Sequence, residues 1–142
     1  MAEDVLEKCV EKGLLESRPS GQTEELRLVG ADGPTKLARV SVSKTEGPHS
    51  YGDELAILDN LPEADVWLTD GLSEAMVRFD ARYEYAMTLE DMLARHSRML
   101  FLDARLAAKL APRVAEILHE ETGTDPKNSD FAQLAAKYLQ IP

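Results

Sequence analysis

Residues 83–110 read YEYAMTLEDMLARHSRMLFLDARLAAKL, and the fold is decided there. Thr88 to Asp91 has the form of a capping box, in which the Thr88 hydroxyl accepts from an orphan amide and the Asp91 carboxylate reaches back. Leu89, Met92, Leu93, His96, Leu100 and Phe101 then recur three and four apart, the spacing of a buried helical stripe. This predicts a main helix from Leu89 to Leu102. Asp91 and Arg95 stand at i,i+4 on its polar side, and Arg98 lies about one turn further on. Asp103 is placed to cap a shorter helix ending near Pro112, because proline removes an amide donor and disfavours helix at the residue before it.

Working outward, Pro112 suits the first turn of a further helix, with Val114, Ile117 and Leu118 inward as far as Gly123. Phe131, Leu134, Ala135, Tyr138 and Leu139 form the clearest helical period in the chain. Upstream, Ser73 is placed to cap a helix from Ala75 to about Ala86, with Val77, Ala81 and Tyr85 near one face. Ser50 is placed to cap Tyr51 to Leu58. Trp67 and Leu68 are expected to plug a loop, since a lone Trp is usually a core anchor. Ala2 to about Leu14 reads as a helix with Val5, Leu6, Cys9 and Val10 on one stripe and Gly13 as its stop. Between these, prolines and glycines punctuate residues 16–49, leaving Leu26–Val29 and Ala38–Val42 as arms of a hairpin or parts of a linker. The expected class is mainly α: a bundle of about five helices, preceded by one helix and a linker or hairpin. The corresponding divisions are 1–15, 16–49 and 50–142.

The 142 residues carry a formal charge of −10, which argues against nucleic acid or anionic lipid as a partner bound through the global field. Arg95, Arg98, Arg105, Lys109 and Arg113 nevertheless fall close together. They read either as cations paired with nearby carboxylates and helix C-termini, or as a docking patch for an acidic surface. No apolar run approaches the eighteen residues of a membrane span. The acidic N-terminus has no signal-peptide core, and the single cysteine, Cys9, fits a reducing, cytoplasmic setting.

Candidate chemistry is thin. His119 has no second histidine at metal-binding spacing, and His96 reads as a satisfied structural histidine. Cys9 lies between acidic neighbours that disfavour a thiolate. No serine sits in a G-x-S-x-G elbow. The constellation that stands out is Glu84, Asp91, Arg95 and Arg98. It reads as an internal ion-pair network that sets helix register, or as a charge cluster that docks the domain on another domain or subunit. Catalytic, cofactor-binding and metal-ligating residues are none on this reading.

The run TLEDMLARHSRMLFLDARLAAKLAPRVAEI, residues 88–117, resembles the C-terminal domain of FAD-dependent glycerol-3-phosphate dehydrogenases. That family shows an upstream Glu, a Thr-x-x-Asp-x-Leu start, two adjacent arginines, a further arginine and a Phe-Leu-Asp-Ala segment. Those positions are Glu84, Thr88, Asp91, Leu93, Arg95, Arg98 and Phe101 to Ala104, with His96 standing where the second adjacent arginine is expected. Ala2 to Leu15 is similar to the last helix of the family's flavin portion. The resemblance implies a parent that oxidises sn-glycerol 3-phosphate to dihydroxyacetone phosphate, using FAD and a quinone, peripheral on the inner face of the cytoplasmic membrane. No G-x-G-x-x-G turn for a dinucleotide occurs here. The expectation is therefore a C-terminal portion without catalytic role: inactive alone, holding no cofactor itself, with the flavin domain as partner and self-association through Ala2–Leu15 open to it. The alternative is a stand-alone helical interaction module.

Overall fold

A computed structural model describes residues 2–18, 24–29 and 47–140, and divides the chain into two units, Met1–Asp32 and Gly33–Pro142. In the first unit, α1 (Ala2–Glu11) begins with Glu3 and Asp4, whose charges suit a helix N-terminus. It ends in a Schellman turn. Gly13 takes φ 71°, the Gly13 amide donates to the Val10 carbonyl, and the Leu14 amide donates to Cys9. None of the residues of α1 is buried. Residues 26–29 are exposed and form no strand, and the other expected hairpin arm, Ala38–Val42, lies outside the described residues.

The second unit is mainly α. A 3₁₀ segment, Pro48–Glu54, leads into the single turn α2 (Leu55–Leu58). Ser50 does not cap it: Pro48 starts the segment and Gly52 kinks it at φ 55°, so the helical stretch expected from Tyr51 is broken in two. Strands β1 (Trp67–Thr69) and β2 (Leu72–Ser73) form a small antiparallel ribbon that alternation did not announce. Trp67 is not the expected anchor. It stands half exposed at the ribbon's edge, while Leu72 on β2 is buried.

Helix α3 (Glu74–Tyr83) starts at Ser73 as expected: the Ser73 hydroxyl accepts from the Met76 amide, and the Met76 sulfur accepts from the Ser73 amide. It stops before Tyr85, which takes φ 61° and points to solvent instead of joining Val77 and Ala81 in the core. Phe79 is fully buried at its centre. Tyr51 meets it edge-on at 4.9 Å, and Tyr83 lies on it at the same distance.

The capping box at Thr88 is present. The Asp91 amide donates to the Thr88 hydroxyl at 3.2 Å, and the Thr88 amide donates to Asp91 Oδ2 at 3.0 Å. The helix that follows is not the one the stripe predicts. Asp91–His96 is wound as a π-helix, which ends where the Ser97 amide and hydroxyl both donate to the Met92 carbonyl, each at 2.9 Å. Arg98 then takes φ 56°, and a separate turn, α4 (Met99–Leu102), begins. The stripe is interrupted at Ser97 and Arg98, and after that break Leu100 is buried while Phe101 is left half exposed.

Asp103 caps α5 (Ala104–Thr122), accepting from the Arg105 and Leu106 amides. The break expected at Pro112 does not occur. Pro112 is exposed and sacrifices one backbone bond, while buried Ala107, Leu110 and Ala111 before it, and Val114, Ile117 and Leu118 after it, hold both halves on one axis. A proline inside a helix costs about 3 kcal/mol, and those buried side chains offset it several times over. Gly123, at φ 67°, closes the helix. Helix α6 (Asn128–Tyr138) packs on α5 through Phe131 and Ala135. The Leu89 amide donates to Pro126, tying the capping box to the α5–α6 loop.

Candidate functional site

Helix α3 is buried along eight consecutive residues, Glu74 to Ala81, and three of them are charged. Buried charge must be paired or it costs several kcal/mol. The structure pairs it on two flanks of the helix, about 200° apart between Arg78 and Asp80 at 100° per residue.

On the α5 flank, the buried Arg78 guanidinium reaches Glu121 at 2.8 Å, Glu63 at 2.9 Å and Glu120 at 3.0 Å. Arg82 donates twice to Glu121, once at 2.9 Å from Nη2. Arg113 grips Glu74 with two bonds, at 2.8 and 2.7 Å, and Glu116 at 2.9 Å. The hydrogen bond from Arg82, with help from Arg78, holds the Glu121 carboxyl below its ordinary range against the opposing effect of burial. Bonds to Glu74 and then Glu116 raise Arg113. Among the described residues, Arg78 Nε is the one buried side-chain polar atom without a hydrogen-bond partner. This flank is a nearly closed structural network.

On the other flank, Asp80 is 3% exposed and accepts from the Tyr51 hydroxyl at 3.1 Å. His96 Nδ1, brought in by the π-helix, stands 3.5 Å from Asp80 Oδ2 and 3.3 Å from Glu84 Oε2. These side chains line a cleft of about 200 Å³ whose other walls include Leu72, Met76 and Met92.

The four charged residues singled out from sequence are distributed, not gathered. Asp91 and Arg95 are paired, and Arg95 also holds Glu90 at 2.6 Å. Burial pushes the Asp91 carboxyl up, but the Thr88 hydrogen bonds and Arg95 outweigh it and hold it below its ordinary range. Glu84 faces His96 instead of the arginines. Arg98 is exposed and forms no ion pair among the described residues. The sequence reading missed Glu74, Arg78, Asp80 and Glu121. Their signal was the i,i+4 spacing of Glu74 with Arg78 and of Asp80 with Glu84 on one helix; their partners lie too far along the chain for local spacing to find.

This helical unit includes most of the segment, residues 21–129, that matches the family described as the C-terminal domain of alpha-glycerophosphate oxidase. The chain belongs to this family. A mitochondrial glycerol-3-phosphate dehydrogenase of Arabidopsis thaliana is 31% identical over 169 aligned positions, covering 99% of this chain and 27% of that protein. The mitochondrial enzyme of Schizosaccharomyces pombe is 39% identical over 66 residues, covering 46% of this chain and 10% of its own length. The human mitochondrial enzyme is 34% identical over 67 residues, covering 46% and 9%. The chain thus spans about a quarter of the first of these relatives and less of the others. No solved structure matches it. As a C-terminal domain of the glycerol-3-phosphate dehydrogenase type, it carries no G-x-G-x-x-G turn, and among the described residues no helix is long and apolar enough to cross a membrane.

Proposed function

We propose that this domain serves a flavin-dependent glycerol-3-phosphate dehydrogenase as a non-catalytic helical element that docks against the flavin-bearing part. In that parent, FAD accepts the hydride as glycerol 3-phosphate becomes dihydroxyacetone phosphate, and a quinone takes the electrons, at the inner face of the cytoplasmic membrane. The observation that carries this reading is where the cations beside α3 go. Arg78 and Arg113 are engaged by carboxylates of their own unit, so neither is left to grip a phosphate or a flavin. A docking role is supported by exposed apolar side chains at the ends of α4 and α6. Phe101 and Tyr138 meet there at 5.6 Å with Leu102 and Leu139 exposed beside them, a concentration that marks interaction surfaces.

The test is to measure flavin binding and dye-linked oxidation of glycerol 3-phosphate by the 142-residue chain alone. The expected result is no bound flavin and no turnover. Bound FAD with turnover would overturn the proposal and place a redox site within these helices.

A further inference from the structure

From the geometry of the second flank of α3, we propose that Asp80, Glu84 and His96 bind a divalent transition-metal ion of the zinc type. Each residue brings one ligand-type atom to within 4.8 Å of the other two. The spacing of these donors is informative. Charge-assisted hydrogen bonds between an imidazolium and a carboxylate close to about 2.7–2.9 Å, whereas His96 Nδ1 stands at 3.3 and 3.5 Å from its two carboxylate oxygens. A tetrahedral ion with bonds of about 2.0–2.1 Å separates its ligands by about 3.3–3.4 Å along each edge. The imidazole nitrogen therefore stands at ligand–ligand separation from both carboxylates, and the two carboxylates lie within 4.8 Å of each other.

The surroundings suit one as well. Asp80 is almost fully buried, and the Tyr51 hydroxyl donates to its Oδ1, which turns Oδ2 toward His96. An outer hydrogen bond of that kind orients a metal-binding carboxylate. Asp80 and Glu84 come from α3 and its C-terminal residue, so they stand on a rigid element, and the π-helix supplies the third donor. Leu72, Met76 and Met92 add apolar walls to the cleft that the three donors line. One imidazole with two carboxylates matches zinc, cobalt or manganese. Calcium and magnesium want oxygen ligands in greater number. Bound there, the ion would clip α3 to the π-helical segment.

The experiment is to strip the 142-residue chain with a chelator and titrate it with zinc by calorimetry, and with cobalt by visible absorption. Glu84→Gln, His96→Gln, Tyr51→Phe and His119→Ala variants are compared after circular dichroism has confirmed their fold. The expected result is one zinc per chain and the intense absorption of four-coordinate cobalt. Affinity should fall more than tenfold in Glu84→Gln and His96→Gln, about tenfold in Tyr51→Phe, and not at all in His119→Ala. Glu84 is half exposed, so its variant tests the site without disturbing the core. No uptake by the native chain, or equal uptake by native, Glu84→Gln and His96→Gln proteins, would overturn the proposal.

Discussion

The two polar flanks of α3 start from the same difficulty, ionised side chains on a buried helix, and resolve it differently. Toward α5, three arginines meet five glutamates over short hydrogen bonds, and each guanidinium has more than one carboxylate contact. Toward the π-helix, two carboxylates face one imidazole across longer gaps beside a cleft. The first arrangement has spent its charge internally. The second sets Asp80, Glu84 and His96 at wider spacing beside a cleft. One helix can thus fix the domain with one flank and offer a ligand site with the other, because a helical period of 3.6 residues separates the two sets.

The sharpest way to break this contrast is to remove Arg78. Arg78→Ala leaves Glu121 and Glu74, both nearly buried, short of a shared cation. We expect a loss of about 3–5 kcal/mol in urea denaturation; a loss below about 1 kcal/mol would mean this flank is not the fastener described. The same flank sets the acid response. The Glu121 carboxyl is held below its ordinary value of 4.5 in the folded chain. Its stabilising contribution is therefore complete above pH 4.5 and is lost as pH falls through the lower folded value. Glu121→Gln should flatten the decline in stability on the acid side of pH 4.5, read from denaturation midpoints across that range.

A smaller effect belongs to the capping box. Thr88→Ala removes the hydroxyl that accepts from the Asp91 amide and donates to its carboxylate, and should cost about 1 kcal/mol. Smaller still is Arg95→Ala. Arg95 is 60% exposed although it bonds to both Asp91 and Glu90, so thermal unfolding should report less than about 1 kcal/mol, shrinking further in high salt. That low value would sharpen the point that burial, and not the number of ion pairs, distinguishes the α3 flanks from the charges most visible in the sequence.

What could be read from the sequence was local. Ser73, Thr88 with Asp91, Asp103 and Gly123 all cap or stop helices as their types predict, because a cap depends on residues within one turn. The break at Ser97 and Arg98 was hidden, since a residue wound into a π-turn leaves the composition of the stripe unchanged. Pro112 was misleading for the opposite reason: a strong local preference is overruled by buried neighbours on both sides. In the candidate site, Glu84, Asp91 and Arg95 were legible as charges at helical spacing. Asp80 with His96, and Arg78 with Glu121, depend on packing between distant segments, which no local period encodes. His96 was read as a structural histidine on the apolar stripe; of its two carboxylate neighbours, Glu84 was singled out and Asp80 was not.

The most direct test of the contrast makes one chemical change on each flank of α3. Glu121→Gln and Glu84→Gln remove a single charge apiece, and their stabilities can be compared with the native chain by urea denaturation in chelator at neutral pH. Glu121→Gln should lose about 2 kcal/mol, through weakened hydrogen bonds to two arginines, while Glu84→Gln should stay within about 0.5 kcal/mol of native. Equal losses on the two flanks, or a larger loss at Glu84, would contradict the contrast.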